Sequence, residues 1–432
     1  MKKLYIIALF LSLTTNLIAQ KKPADKQTKS VLIMNGTAHL GNGKVIENSV
    51  VGFKGGKLQL VADATLVKID LTSYDIKINA AGKHIYPGFI APNSTLGLVE
   101  IDAVKASDDE DEIGNYNPNI KSLMAYNSES KVSETVIGNG ILMAQITPRG
   151  GRISGTSSVV QLDAWSWEEA VIKENDGIHL NFPNSYKTGR GAENGVIEVN
   201  KDYAKQIEEM LQFINAAKAY NSSPTNERNL VLESMKGLFD GNQTLFVNAN
   251  DEKQIIDAIT FFKENGIKKL VIVGGYEAYK TTDLLIKNAV HVLLKRVHEM
   301  PVNDDQDYDL PYKIAKILVE KGVLVGLENS GKMERMNTRN LPFLAGTCAA
   351  FGLDNEVALQ LITSNTAKIL GIETFCGTLE VGKDATLFIS EGDALDMRTN
   401  KLNETFIQGR MIDLENNQSN LNKIYKEKYN QN

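Results

Sequence analysis

Between residues 86 and 327 the chain alternates short apolar runs of strand length with segments whose apolar residues recur at helical spacing. That alternation confines the region to βα units arranged around a parallel sheet. The expected strands are Tyr86 to Ile90, Ile141 to Ile146, Ser158 to Leu162, Ile178 to Phe182, Thr244 to Val247, Lys269 to Val273, Val290 to Lys295 and Val323 to Leu327. Eight such strands suit a closed barrel. Between them, Tyr203, Ile207, Met210, Leu211 and Ile214 mark one helix face, and Ile255, Ile259 and Phe262 mark another that stops at Gly266. A glycine placed between a helix and the next apolar run, as at Gly266 and Gly322, reads as a helix C-cap with no chemical role.

Both flanks of this region read differently. Val31 to Met34, Ser49 to Phe53 and Leu58 to Val61 are short β-type runs, and at the far end Ala385 to Ser390 and the hairpin Glu404 to Leu414 match them. The two ends are expected to share one small β domain. The predicted class is therefore α/β, a (β/α)8 TIM barrel with a composite β-sandwich domain. Its layout is a signal peptide over 1–19, a linker over 20–29, the composite domain from 30–84 and 379–415, the barrel over 85–378, and a polar tail over 416–432.

Lys2 and Lys3, the apolar run Leu4 to Leu13 and the small polar stretch ending at Ala19 and Gln20 have the layout of a signal peptide. The run is shorter than the ~20 residues a bilayer span needs. An exported protein, periplasmic or secreted, with no membrane span after cleavage is the expectation. Loss of Lys2 and Lys3 moves the formal charge from −6 to −8, and no basic block is available to follow a phosphate backbone, which argues against nucleic acid. Cys348 and Cys376 are the only cysteines, and whether they pair is open.

Two stretches carry a family resemblance. Ile85-Tyr86-Pro87-Gly88-Phe89-Ile90-Ala91-Pro92-Asn93-Ser94-Thr95-Leu96-Gly97 resembles the first barrel strand of the amidohydrolase superfamily, in which an H-x-H pair binds metal. Thr363-Ser364-Asn365-Thr366-Ala367-Lys368-Ile369-Leu370-Gly371, followed by Gly377-Thr378-Leu379 and Gly382-Lys383-Asp384-Ala385-Thr386-Leu387, is similar to the segment that closes the barrel in imidazolonepropionase-like members. The resemblance implies hydrolysis of non-peptide C–N bonds, cyclic amides among them, by water on zinc or another divalent metal. The frame matches and the ligands do not: Asn93 and Thr95 stand where the histidines would, Ala91 where an aspartate would, and Asn248 at the end of strand five. Gly274 and Gly275 follow strand six. At strand eight Asn329 takes the place of the acid/base aspartate, with Glu328 beside it and expected to face the other way.

A metal-bound water needs imidazole and carboxylate ligands to reach a pKa near neutrality, and amide or hydroxyl oxygens are poor substitutes. No metal and no cofactor are therefore expected. His298 and Glu328 remain the catalytic candidates. Arg149 and Arg152, in the Gly-rich loop Thr147 to Ser158, and Arg296 with His298 after strand seven are candidates for ligand binding. Three readings stand: a degenerate barrel binding a small, neutral ligand, an active C–N hydrolase with a non-standard or absent metal site, and a structural subunit that forms a homo-oligomer or pairs with an active amidohydrolase relative.

Overall fold

The computed structural model describes residues 22–188, 197–222, 227–331 and 333–431. The expected signal peptide lies outside the described residues. Eight strands form the barrel sheet, in the order β8-β7-β6-β5-β4-β3-β2-β1. They are β1 (Phe89–Ser94), β2 (Ile141–Ile146), β3 (Ile153–Gln161), β4 (Val171–Asn181), β5 (Thr244–Ala249), β6 (Leu270–Gly274), β7 (His291–Leu294) and β8 (Val325–Leu327). The segment Leu361–Ile362 closes the ring: Leu327 N donates to Leu361 O (3.0 Å) and Ile90 N to Ile362 O (3.0 Å).

Residue parity explains both faces of this wall. Leu245, Val247, Ile272, Val292, Leu294, Val325 and Leu327 pack outward into the large cluster shared with the helices, while Phe246, Val271, Val273 and Leu293 pack inward with Ile90, Met143 and Val159. Outward residues are covered by amphipathic helices such as Glu252–Glu264, capped by Asp251, and Leu310–Glu320.

The expected all-parallel barrel needs one correction. β3 runs antiparallel to both β2 and β4, whereas the other neighbouring pairs along the sheet are parallel. The cause is connection length. Only the segment 147–152 joins β2 to β3, too short for a crossover helix, and Gly150 (φ 80°) and Gly151 (φ 57°) turn it as a hairpin. As a result, the loop carrying Arg149 and Arg152 stands at the same rim as the C-terminal ends of the parallel strands.

Both ends of the chain build a second eight-stranded sheet. In it Leu387–Ser390 pairs with His84–Pro87 and with Leu402–Ile407, and Val31–His39 pairs with Val45–Lys54, Ile76–Asn79 and His84–Pro87. The expected first strand therefore divides: His84–Pro87 belongs to the small sheet and β1 begins at Phe89. Two further short strands, Tyr186–Thr188 and Ile197–Val199, pair with each other. In the tail, Asn417–Lys428 forms an exposed helix with a capping box from Asn416 and Ser419. No helix among the described residues is long and apolar enough to cross a membrane. Cys348 and Cys376 are free, buried thiols in different core clusters, and burial pushes both up to about 12, so neither is a nucleophile at neutral pH.

An ion pair with little access to water links the two parts of the molecule. Arg410, at the edge of the small sheet, bonds Asp163 Oδ2 (2.8 Å), Asp163 O (2.9 Å) and Gln161 Oε1 (3.0 Å) beside the end of β3, and Asp163 also accepts from the Ala24 amide (2.9 Å). Arg410→Met leaves the Asp163 carboxylate without its cation and should cost about 3 kcal/mol of stability in urea unfolding. A loss below about 1 kcal/mol, the range of exposed pairs, would show that this contact does not couple the two parts.

Candidate active site at the barrel mouth

β1 ends in an abrupt turn, with Asn93 in the left-handed region (φ 50°), and this aims its side chain across the barrel mouth. There Asn93 is enclosed by three elements. Its Nδ2 donates to Glu328 Oε2 (3.3 Å), its amide N donates to Gln145 Oε1 (2.9 Å), and its Oδ1 and O accept from Arg149 Nη1 and Nη2 (2.9 and 2.8 Å). The same guanidinium grips Glu334, with Nη2 at 2.8 and 2.9 Å from the two carboxylate oxygens. Thr95 N donates to Glu334 Oε1 (2.8 Å), so the mouth is closed by a buried, charge-assisted cluster.

Glu328, expected to face away from the mouth, instead faces the barrel interior, and Asn329 lines the space beside Asn93 as expected. Since Val325 and Leu327 face outward, Gly326 and then Glu328 face the barrel interior, and a Cβ on Gly326 would meet Leu293 of the inner core. Glu328 is fully buried, accepting from Ser330 N (2.5 Å) and Ser330 Oγ (2.8 Å) as well as from Asn93. Asn329 donates to Glu334 O (3.1 Å).

Of the other candidates, Asn248 does face inward and donates to Asn181 Oδ1 (3.0 Å), while Arg152 bonds the carbonyl of Asn181. His298 does not enter the mouth. It lies four residues beyond the end of β7, the intervening Val297 is buried in the outer cluster, and its Nε2 bonds Thr347 Oγ1 (2.6 Å) on the helix Leu341–Ala350. Arg296 lies against Gly331, with Glu299 at 3.7 Å.

A second polar layer lies inside the barrel. Gln145 Nε2 donates to Asp176 Oδ2 (2.7 Å) and Ser157 Oγ (3.2 Å), Ser157 Oγ donates to Asp176 Oδ1 (2.8 Å), and His179 Nε2 meets Ser157 Oγ at 3.0 Å. His179 stacks on Phe246 at 4.7 Å, and burial, followed by the charge of Arg149, drives its pKa well below the usual value. Gln145 and His179 sit in expected strands, and a lone polar residue in such a run does not say which face it takes.

The metal-binding fit fails on donor chemistry. Asn93 Oδ1, which stands at a position where the resemblance calls for an imidazole, already accepts from a guanidinium, and a dication beside Arg149 would meet like charge. Among the described residues no group of three or more His, Cys, Asp or Glu is arranged to hold a metal ion.

The fold and this site define an α/β barrel with a composite β domain and a polar, closed mouth. No family model and no curated protein sequence matches the chain. Solved structures do: an amidohydrolase from Thermotoga maritima MSB8 is 24% identical, with 89% of this chain and 99% of that chain covered at a TM-score of 0.73. A molinate hydrolase (13% identity, 90% and 95% covered, TM-score 0.55) and the A. niger ochratoxinase (13%, 90% and 96%, TM-score 0.52) share the same architecture. The fold of this chain is the one that these structures share.

Burial raises the Glu328 carboxyl from 4.5 to about 7, with the nearby Glu334 adding to the shift while Ser330 and Arg149 oppose it. The folded chain therefore holds this proton more tightly than the unfolded chain, so its contribution to stability is complete below pH 4.5 and is lost as pH rises through about 7. Glu328→Gln removes the titration. Its stability relative to wild type should improve by up to ~3 kcal/mol between pH 4.5 and pH 8. Calorimetric melts across that range test this, and a constant difference between the two proteins would refute it.

Proposed function

We propose that this amidohydrolase-fold protein does not hydrolyse through a metal-bound water, and that it acts as an exported ligand-binding or partner subunit. The observation that carries this reading is the cation already present at the mouth. Arg149 bonds Asn93 and Glu334 at 2.8 to 2.9 Å and supplies the positive charge that a metal would otherwise bring. A guanidinium cannot replace that metal in catalysis: it has no open coordination position and cannot ionise a water near neutral pH.

The competing reading, an active C–N hydrolase, draws support from one residue. Glu328 titrates near 7, where a general base works best. Against it, Glu328 is wholly buried and both its oxygens are engaged by Ser330 and Asn93. Purified, tag-free protein grown in metal-supplemented medium is expected to carry well under one metal per chain by elemental mass spectrometry. It is also expected to leave cyclic amides and N-acyl amino acids intact, with or without added zinc or manganese. Stoichiometric metal that chelators remove together with an amidase activity would defeat the proposal.

A further inference from the structure

The partners of Glu334 are those of a bound carboxylate ligand, and none belongs to its own element. Arg149 comes from the β2–β3 hairpin and approaches both carboxylate oxygens (2.8 and 2.9 Å), and the Thr95 amide at the end of β1 donates to Oε1 (2.8 Å). A guanidinium and a strand-end N–H converging at the C-terminal rim of a barrel form a recognition pair for a planar monoanion. A second observation points the same way. Asn329 Oδ1, buried in the narrow space that Asn93, Ser94 and Glu334 also line, finds no hydrogen-bond partner among the described residues. An unpaired buried acceptor beside a carboxylate seat suits a ligand with an N–H or O–H donor next to its carboxylate.

We propose that the barrel mouth is a binding site for organic carboxylates, in which Glu334 is the resident occupant that an incoming carboxylate replaces on Arg149 and Thr95. This rests on the ligand-binding reading above and specifies its ligand class as an acid rather than a neutral molecule. Exchange of one carboxylate for another leaves the charge of the mouth unchanged, so Arg149 never loses its counterion. Because Glu334 is tethered, its effective concentration exceeds that of a simple acid in solution, and acetate alone does not compete with it. Removing the Glu334 side chain exposes the site.

The test is rescue of Glu334→Ala. Thermal melts of wild type, E334A and the double variant E334A with Arg149→Met are recorded in EDTA with sodium acetate, sodium sulfate or sodium chloride at matched ionic strength. A saturable rise in the melting temperature of E334A with acetate, absent from wild type and from the double variant, is expected. Acetate acting no differently from chloride would overturn the proposal, as would an equal rise in the double variant. Sulfate as effective as acetate would overturn the carboxylate assignment. If E334A fails to fold in chloride, refolding yield in acetate against chloride gives the same comparison. Metal content measured on the same wild-type sample keeps the two conclusions apart: metal would defeat the reading above, whereas the rescue depends only on Arg149.

Discussion

The top of this barrel is organised by one guanidinium. Arg149 reaches from a six-residue hairpin to the end of β1 and to the chain that follows β8, neighbours across the seam where the barrel ring closes. Without it, the Glu334 carboxylate would be buried beside the Asn93 carbonyl with no cation, a cost of several kcal/mol by the usual accounting for a broken buried pair. The hairpin itself depends on β3 running backwards, since only a reversed strand brings the β2–β3 connection to the rim where the parallel strands end. The topology of one strand and the chemistry of the mouth are therefore a single constraint.

Below that cation the barrel interior keeps a polar layer that most barrels of this size fill with aliphatic side chains. Gln145 links the two levels, with its Oε1 receiving the Asn93 amide and its Nε2 bonding Ser157 and Asp176. Burial holds Asp176 up to about 6 and Glu328 up to about 7, so the charge of these two interior carboxyls is removed by protonation as pH falls below those values, while Arg149 and Glu334 face each other as a matched pair. Such a network is costly unless its members are bonded. Asp176 and Glu328 are bonded at both oxygens, whereas Asn329 Oδ1 and His179 Nδ1 are the exceptions among the described residues here.

Much of the architecture was legible in the order of residues. The eight apolar runs, their helical spacers and the matching β-runs at both ends follow from periodicity, and strand ends fell within a few residues of those observed except where β3 and β4 extend further. The placement of Asn93 and Asn248 near strand ends was also legible, because it follows from where the apolar runs stop. The inward direction of Glu328 was not. A one-residue uncertainty in where β8 ends inverts which side chain faces inward, and only the packing of Val325 and Leu327 against the helices settles it. His298 failed for a related reason, since parity stops predicting direction once the chain leaves the strand.

By itself, then, the sequence determined the class of fold and the shared β domain, because these depend on local periodicity and residue type. The tertiary structure alone decided what stands in the mouth. Glu334 and Arg149 are 185 positions apart, and nothing in their local sequence marks them as partners. They meet because a reversed strand and the chain after β8 converge on one rim, and a charge buried there is stable only where the fold brings its counterion.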